Sequence, residues 1–232
     1  MRTFEQYIRE AVDFRLGGRD RKGIQQYNYT PKDCDELIEL VEKLIEERGD
    51  DGDFNDIDTS NVTDMFNVFY AEESFNGDIS LWDTSNATDM REMFSSAHKF
   101  NQDISGWDTS NVTDMEGMFA YATSFNQPIG NWDTSKVKDM TSMFENAENF
   151  DQDISMWDTS NVTCMDRMFF RALSFNQDIS QWNVSRVIDM REMFKSARSF
   201  NQDISQWDVG KVTSMSHMFE RCPIIDRFKP KF

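Results

Sequence analysis

Three columns of aspartate, each recurring every 25 residues, are the groups in this chain best placed to do chemistry. Asp83, Asp108, Asp133, Asp158 and Asp208 each follow a tryptophan; Asp78, Asp103, Asp153, Asp178 and Asp203 precede isoleucine; Asp64, Asp89, Asp114, Asp139 and Asp189 precede methionine. Stacked carboxylates have two uses. They can hold a ladder of calcium ions, which take carboxylate oxygens, or they can accept backbone N–H groups at turns and helix starts. Like charges about 4.8 Å apart repel by roughly 1 kcal/mol even in water, so something must offset them. The structural use is preferred here. Calcium repeats carry glycine-rich loops, whereas Gly77, Gly106, Gly117, Gly130 and Gly210 share no column. No cofactor is therefore expected, with calcium as the alternative.

The remaining polar columns read the same way. Asn76, Asn101, Asn126, Asn176 and Asn201, with Asp151 as the exception, predict an asparagine ladder between neighbouring units. Thr59, Thr84, Thr109, Thr134 and Thr159 form a second column that ends in Val184 and Val209, which argues for turn bonding over an ice- or sugar-binding face. Cys34, Cys164 and Cys222 supply no disulfide framework. His98 and His217 fall in different columns and cannot repeat a metal site. Phosphate loops and paired-cysteine zinc motifs are missing. Asn-x-Ser/Thr matches at Asn28, Asn61, Asn86, Asn111, Asn161 and Asn183 follow from the repeat itself. The chain is expected not to be an enzyme.

The elements that position these columns come from the same period. Trp82, Trp107, Trp132, Trp157, Trp182 and Trp207 lie 25 residues apart, as do Phe75, Phe100, Phe125, Phe150, Phe175 and Phe200. Met65, Met90, Met115, Met140, Met165, Met190 and Met215 run unbroken, as do Phe69, Phe94, Phe119, Phe144, Phe169, Phe194 and Phe219. A period in this range marks units that bury their apolar faces against one another. Val112, Met115, Met118, Phe119 and Ala122 step by three and four, which predicts a short helical turn. Asp89-Met-Arg-Glu92 and Asp189-Met-Arg-Glu192 resemble capping boxes for that turn. The stretch from Phe100 to Trp107 is expected to carry a short strand. The fold expected is an α/β repeat solenoid of short strand plus short helical turn, about seven units over residues 53–232.

Residues 1–52 do not repeat. Phe4, Ile8, Ala11, Val12 and Leu16 predict an amphipathic helix over about 3–16, ended by Gly17-Gly18. A second helix has Thr30 as N-cap, Pro31 in the first position, an apolar stripe of Leu37, Ile38, Val41, Leu44 and Ile45, and Gly49 as its stop. The segment is expected to cap the array, or else to dock it into a larger assembly such as a virion.

The pattern Phe100-Asn-Gln-Asp-Ile-Ser-Gly-Trp107-Asp-Thr-Ser-Asn-Val112-Thr-Asp-Met115-Glu-Gly-Met118-Phe119 resembles the repeat of BspA-like bacterial surface proteins and mycoplasma surface lipoproteins, a group counted with the leucine-rich repeats. The resemblance spans about 53–232. It implies right-handed, leucine-rich-repeat-like coils used for adhesion or protein binding, and it brings no catalytic residues.

Charge narrows the partners. Forty-two acids against 24 bases leave a net charge of -18, which excludes general nucleic-acid binding and docking on anionic membranes. No apolar run is long enough to span a bilayer. The N-terminus is mixed and charged, unlike a secretory signal. Compartment stays open between the cell surface that the resemblance implies and a cytoplasmic or virion setting. A protein partner is expected, with a glycan as the alternative. Binding is expected on columns that vary from unit to unit, and Tyr121, Arg167, Phe170, Arg171, Arg191, Lys195 and Arg198 are the candidate contacts; with Arg186, the later bases could form a basic patch in an acidic protein.

Overall fold

The computed structural model describes residues 26–232, so the helix expected over 3–16 lies outside the described residues. The second expected helix is present as α1, Cys34–Arg48. Its N-cap is Asp33, which accepts the Glu36 N–H, and not Thr30. The reason lies upstream. Tyr29 forms a parallel bridge with Ile57, and the Asn28 N–H donates to Asp56 O, so the chain before Pro31 is committed to an extended course. Gly49 closes α1 at φ 80° with its N–H on Ile45 O. Leu37, Val41 and Leu44 are buried in one hydrophobic cluster with Phe54, Ile57, Met65 and Phe69.

From about residue 50 onward, each 25-residue unit lies against the next in parallel register. No helix occurs in these units among the described residues; a 3₁₀ turn, Asp226–Phe228, follows them. The unit is instead a succession of tight turns. In the copy after Phe100, Asp103, Asp108 and Asp114 each accept, through Oδ1, the N–H two residues on, from Ser105, Ser110 and Glu116 at 2.9, 2.9 and 3.0 Å. These are Asx turns, the conformation a short carboxylate favours locally. Backbone turns follow: Met118 N–H to Met115 O, Ala120 to Gly117, Ala122 to Phe119 and Phe125 to Ala122.

Two residues per unit adopt left-handed backbone, four apart: Asn67 and Ala71, Glu92 and Ser96, Gly117 and Tyr121, Ser142 and Asn146, Arg167 and Arg171, Glu192 and Ser196, His217 and Arg221. The steps of three and four seen in the sequence therefore belong to consecutive turns rather than to a helical turn. Asp89 bonds the Arg91 N–H, and Glu92 sits at φ 52°, so no capping box forms there.

The backbone ladder also sits elsewhere than expected. It is carried by the Asp64–Asp89–Asp114–Asp139–Cys164–Asp189–Ser214 bridges and not by Phe100–Trp107. Met65, Asn67, Phe69 and Ala71 donate their N–H groups to the carbonyls of Asp89, Arg91, Met93 and Ser95, and each later unit but the last repeats this, at 2.6 to 3.2 Å. Side chains add further rungs. Every tryptophan indole donates to the preceding unit, as Trp132 Nε1 does to Ile104 O at 3.2 Å. Thr109 Oγ1 donates to Asp133 O, and the Asn126 N–H donates to Asn101 Oδ1. Asp151 keeps this asparagine ladder intact because the position needs an acceptor: its Oδ1 takes the Asn176 N–H at 2.9 Å.

The core is aromatic. Phe119 stacks on Phe94 and Phe144 with centroids 5.6 and 5.7 Å away, and on Phe125 at 3.9 Å. Contacts in this range add roughly 0.5–1.5 kcal/mol per pair beyond area burial.

Candidate functional site

The turn that follows each methionine presents its outward residues on one strip of surface. Positions equivalent to Glu116, Gly117, Ala120 and Tyr121 vary among the units and most are at least partly exposed, although Ser95, Gly117, Ala120 and Asn146 are buried; the apolar residues between them are buried except the half-buried Phe219. Two of these positions have left-handed backbone, and Ala71, Tyr121, Arg167 and Arg171 there are exposed, whereas Asn146 is buried.

Neighbouring units pair across this strip. Tyr121 Oη donates to Glu145 Oε1 at 2.9 Å, and Ser142 Oγ donates to Glu145 Oε2 at 2.8 Å. Arg167 bonds Glu192 at 3.0 Å, Arg191 pairs with Asp189 at 2.8 Å and lies 3.7 Å from Asp166, and Lys195 meets Glu192 at 2.8 Å and Glu220 at 3.5 Å. The Lys195 ammonium also lies over the Phe170 ring at 5.8 Å. So Tyr121, Arg167, Phe170, Arg171, Arg191 and Lys195 share the strip, but Arg167, Arg191 and Lys195 are matched by acids and do not form a bare basic patch. Among the described residues Arg171 and Arg198 form no ion pair or side-chain hydrogen bond, although the Arg171 charge acts on Tyr121. Arg186 belongs to another column, where its guanidinium bonds Asn161 Oδ1.

The aspartate columns each give one carboxylate oxygen, Oδ1, to the backbone. Asx bonds recur at Asp58, Asp83, Asp133, Asp158 and Asp208, and at Asp64, Asp139 and Asp189. Among the described residues, no group of three or more His, Cys, Asp or Glu side chains is placed to hold a metal ion. The columns differ electrostatically. The hydroxyl and N–H of the serine two residues on hold Asp103, Asp108 and Asp133 below the ordinary carboxylate range. Burial, with Asp139 and Asp89 alongside, pushes Asp114 up, and burial with Asp139 and Asp114 nearby does the same to Glu116.

The signs follow from this split. A carboxyl raised in the folded state penalises folding once it is ionised, and the penalty is relieved as pH falls through its raised value. A carboxyl lowered in the folded state gives stability that is lost as pH drops below its ordinary value of 3.8. Melting temperature is expected to rise as acidification protonates the raised carboxyls, then fall once pH drops below the ordinary carboxylate value of 3.8. Asp114→Asn keeps the acceptor for the Glu116 N–H and removes the stacked charge; it should raise the melting temperature at neutral pH and flatten the rise on acidification. A lower melting temperature at neutral pH would show that the carboxylate itself is needed.

The three thiols are held protonated. Burial, helped by Asp64, pushes Cys34 up to about 12, and its Sγ donates to Phe66 O. Burial likewise raises Cys164, which accepts from Thr141 Oγ1, and Cys222, whose Sγ lies 3.5 Å from Phe200 O. His98 faces Ser96 O, and His217 faces Glu220.

Two features escaped the sequence reading. The left-handed positions are filled by Glu, Ser, Arg, Tyr and His as well as by Gly117, Asn67 and Asn146, so the residue types that mark such backbone are diluted. The glutamine column, Gln102, Gln127, Gln152, Gln177 and Gln202, lays each amide on the preceding unit's asparagine position; its constant spacing was the available signal.

No helix among the described residues is long and apolar enough to cross a membrane. A family model described as "Mycoplasma protein of unknown function, DUF285" matches residues 39–155 and 126–229. No curated protein and no solved structure matches the chain.

Proposed function

The chain belongs to that family, and from this premise we propose that it is a non-enzymatic binding module for a protein partner, built as a right-handed, leucine-rich-repeat-like solenoid whose first end is capped by α1. The BspA-like 25-residue repeat supplies the specific comparison and favours an adhesive role at a cell surface. The observation that carries the reading is the variable strip: fixed left-handed turns carry side chains that vary among the units, although Arg91, Glu92 and Ser96 recur as Arg191, Glu192 and Ser196, above a core that is nearly constant. A rigid support with interchangeable contacts lowers the ordering cost of binding. Tyr121, Phe170 and Arg171 are its principal contacts, since aromatics and arginine dominate interface energetics; Arg167, Arg191, Lys195 and Arg198 frame them.

The test compares two variants in capture from envelope and host-cell extracts. Tyr121→Ser combined with Phe170→Ser and Arg171→Glu should abolish capture of a specific protein while leaving melting unchanged. Met156→Ser, at a varying position outside the strip that is 84% exposed, should leave capture intact. Loss on the second variant alone, or capture indifferent to the first, overturns the assignment to this strip. Binding to a glycan array with no protein captured would replace the protein partner with a sugar.

A further inference from the structure

The two ends of the array differ. In every unit but the last, four N–H groups of the turn donate to the next unit's carbonyls. In the last unit the corresponding groups, those of Met215, His217, Phe219 and Arg221, have no acceptor among the described residues. Among the described residues the Thr213 carbonyl is also unclaimed, although Thr63, Thr88, Thr113, Lys138, Thr163 and Ile188 each accept from the following unit. The side chains agree. Met215 is 45% exposed where Met65 to Met190 are wholly buried, and Val212 and Phe219 are half-buried where their counterparts are buried. The terminal segment covers the other half of this end, through Ile204 N–H to Phe228 O and Ile225 N–H to Asn201 Oδ1, and sets the Lys229 ammonium over the Phe219 ring at 5.7 Å, but among the described residues it gives the four donors no acceptor.

These donors also end four long columns of aligned peptides. From Asn67 to Arg91, Glu92 to Glu116, Gly117 to Thr141, Ser142 to Asp166, Arg167 to Arg191 and Glu192 to Ser216, each bond passes to the peptide of the next unit in the same direction. Aligned peptide dipoles sum as they do in a helix, and the N–H end is the positive one. The local side chains share that sign. Residues 209–232 hold Lys211, Arg221, Arg227, Lys229 and Lys231 against Glu220 and Asp226, in a chain of net charge -18.

We infer that the open edge Val212–Arg221 binds an acidic peptide segment of a partner protein, which adds to the array as one more turn. The required pattern is that of Thr88–Ser95 over the unit before it: one N–H for the Thr213 carbonyl, then carbonyls at every second residue for the four donors, with apolar side chains over Val212 and Met215. A second copy does not supply it. Two such edges offer donors to donors, and the matching carbonyl row of Asp64, Phe66, Val68 and Tyr70 lies under α1, with the Cys34 thiol on Phe66 O and Met65, Val68 and Phe69 buried. The inference does not depend on the variable strip, so either can fail alone.

The probe is an end-capped synthetic peptide of residues 111–122, which carries Asp114 and Glu116 and has Gly117 at a left-handed position, so it takes the turn at low cost. It is added to the full chain, and amide hydrogen exchange is read by NMR. Exchange at Met215, His217, Phe219 and Arg221 should slow by about tenfold or more, and a scrambled peptide should leave it unchanged. Lys211→Glu with Arg221→Glu should weaken peptide binding about tenfold while the melting temperature holds. Three results overturn the proposal: no peptide binding, protection elsewhere only, or protection of the same amides by concentration-dependent self-association without peptide.

Discussion

Phe144→Ala is expected to destabilise the protein by about 3–5 kcal/mol and to split its unfolding into two transitions. Phe144 is fully buried at the centre of the aromatic stack, with Phe119 and Phe169 5.7 Å away on either side, Phe150 at 3.9 Å and Trp157 at 6.1 Å. Truncation removes the ring and leaves a cavity bounded by two neighbouring units. The hydrogen-bond ladder keeps those units at their spacing, so the cavity cannot close. In a quasi-one-dimensional array, stability is a sum of unit terms and nearest-neighbour interfaces. One weakened interface in the middle therefore uncouples the units on the α1 side from those after it. Urea unfolding followed by tryptophan fluorescence and circular dichroism should show one transition for the unchanged protein and two for the variant. Phe219→Ala, at the half-buried end of the same column, should cost less and keep a single transition. A loss under about 1 kcal/mol for Phe144→Ala would mean that the stack is not what holds neighbouring units together.

The reasons behind the legible and illegible parts differ. Burial was readable because the array is periodic: a column that holds tryptophan, methionine or phenylalanine in every copy has nowhere to go but the core. The asparagine ladder was readable from the recurrence of its column, and the structure explains its exception, since Asp151 and asparagine share an acceptor oxygen. The Asx turns followed from short carboxylates at fixed places. Conformation was harder. Thr30 and Asp33 are both good N-caps, and the choice was made by the pairing of Tyr29 with Ile57, a contact no local rule contains. The ladder fell on the aspartate–methionine segment because the two left-handed residues per unit align alternate peptides along the array, and that alignment cannot be read from Glu92, Arg167 or Tyr121. The candidate contacts were traceable to variable columns. Their neutralisation was not, because Arg167 and Glu192, or Lys195 and Glu220, meet only once the units are stacked.

Ser96 tests that backbone directly, because the helical and the turn readings of the Ala87–Ala97 stretch predict opposite outcomes. In a helix, Ser96→Gly would cost several tenths of a kcal/mol. In the structure Ser96 sits at φ 63°, a region where a Cβ is penalised by roughly 1–2 kcal/mol, so Ser96→Gly should stabilise by about 0.5–1 kcal/mol once the extra freedom of glycine in the unfolded chain is subtracted. Ser96→Pro gives the larger effect. Proline cannot take a positive φ, and it removes the N–H that donates to Ala120 O at 2.7 Å. The loss should be at least about 3 kcal/mol, and because that bond belongs to one of the four peptide columns, the interface between this unit and the next should weaken with it. Equilibrium unfolding of both variants is the measurement. Stabilisation by glycine together with severe loss by proline fits a chain of turns with left-handed joints. Destabilisation by glycine would restore the helical turn and remove the geometric basis for an outward strip of variable residues.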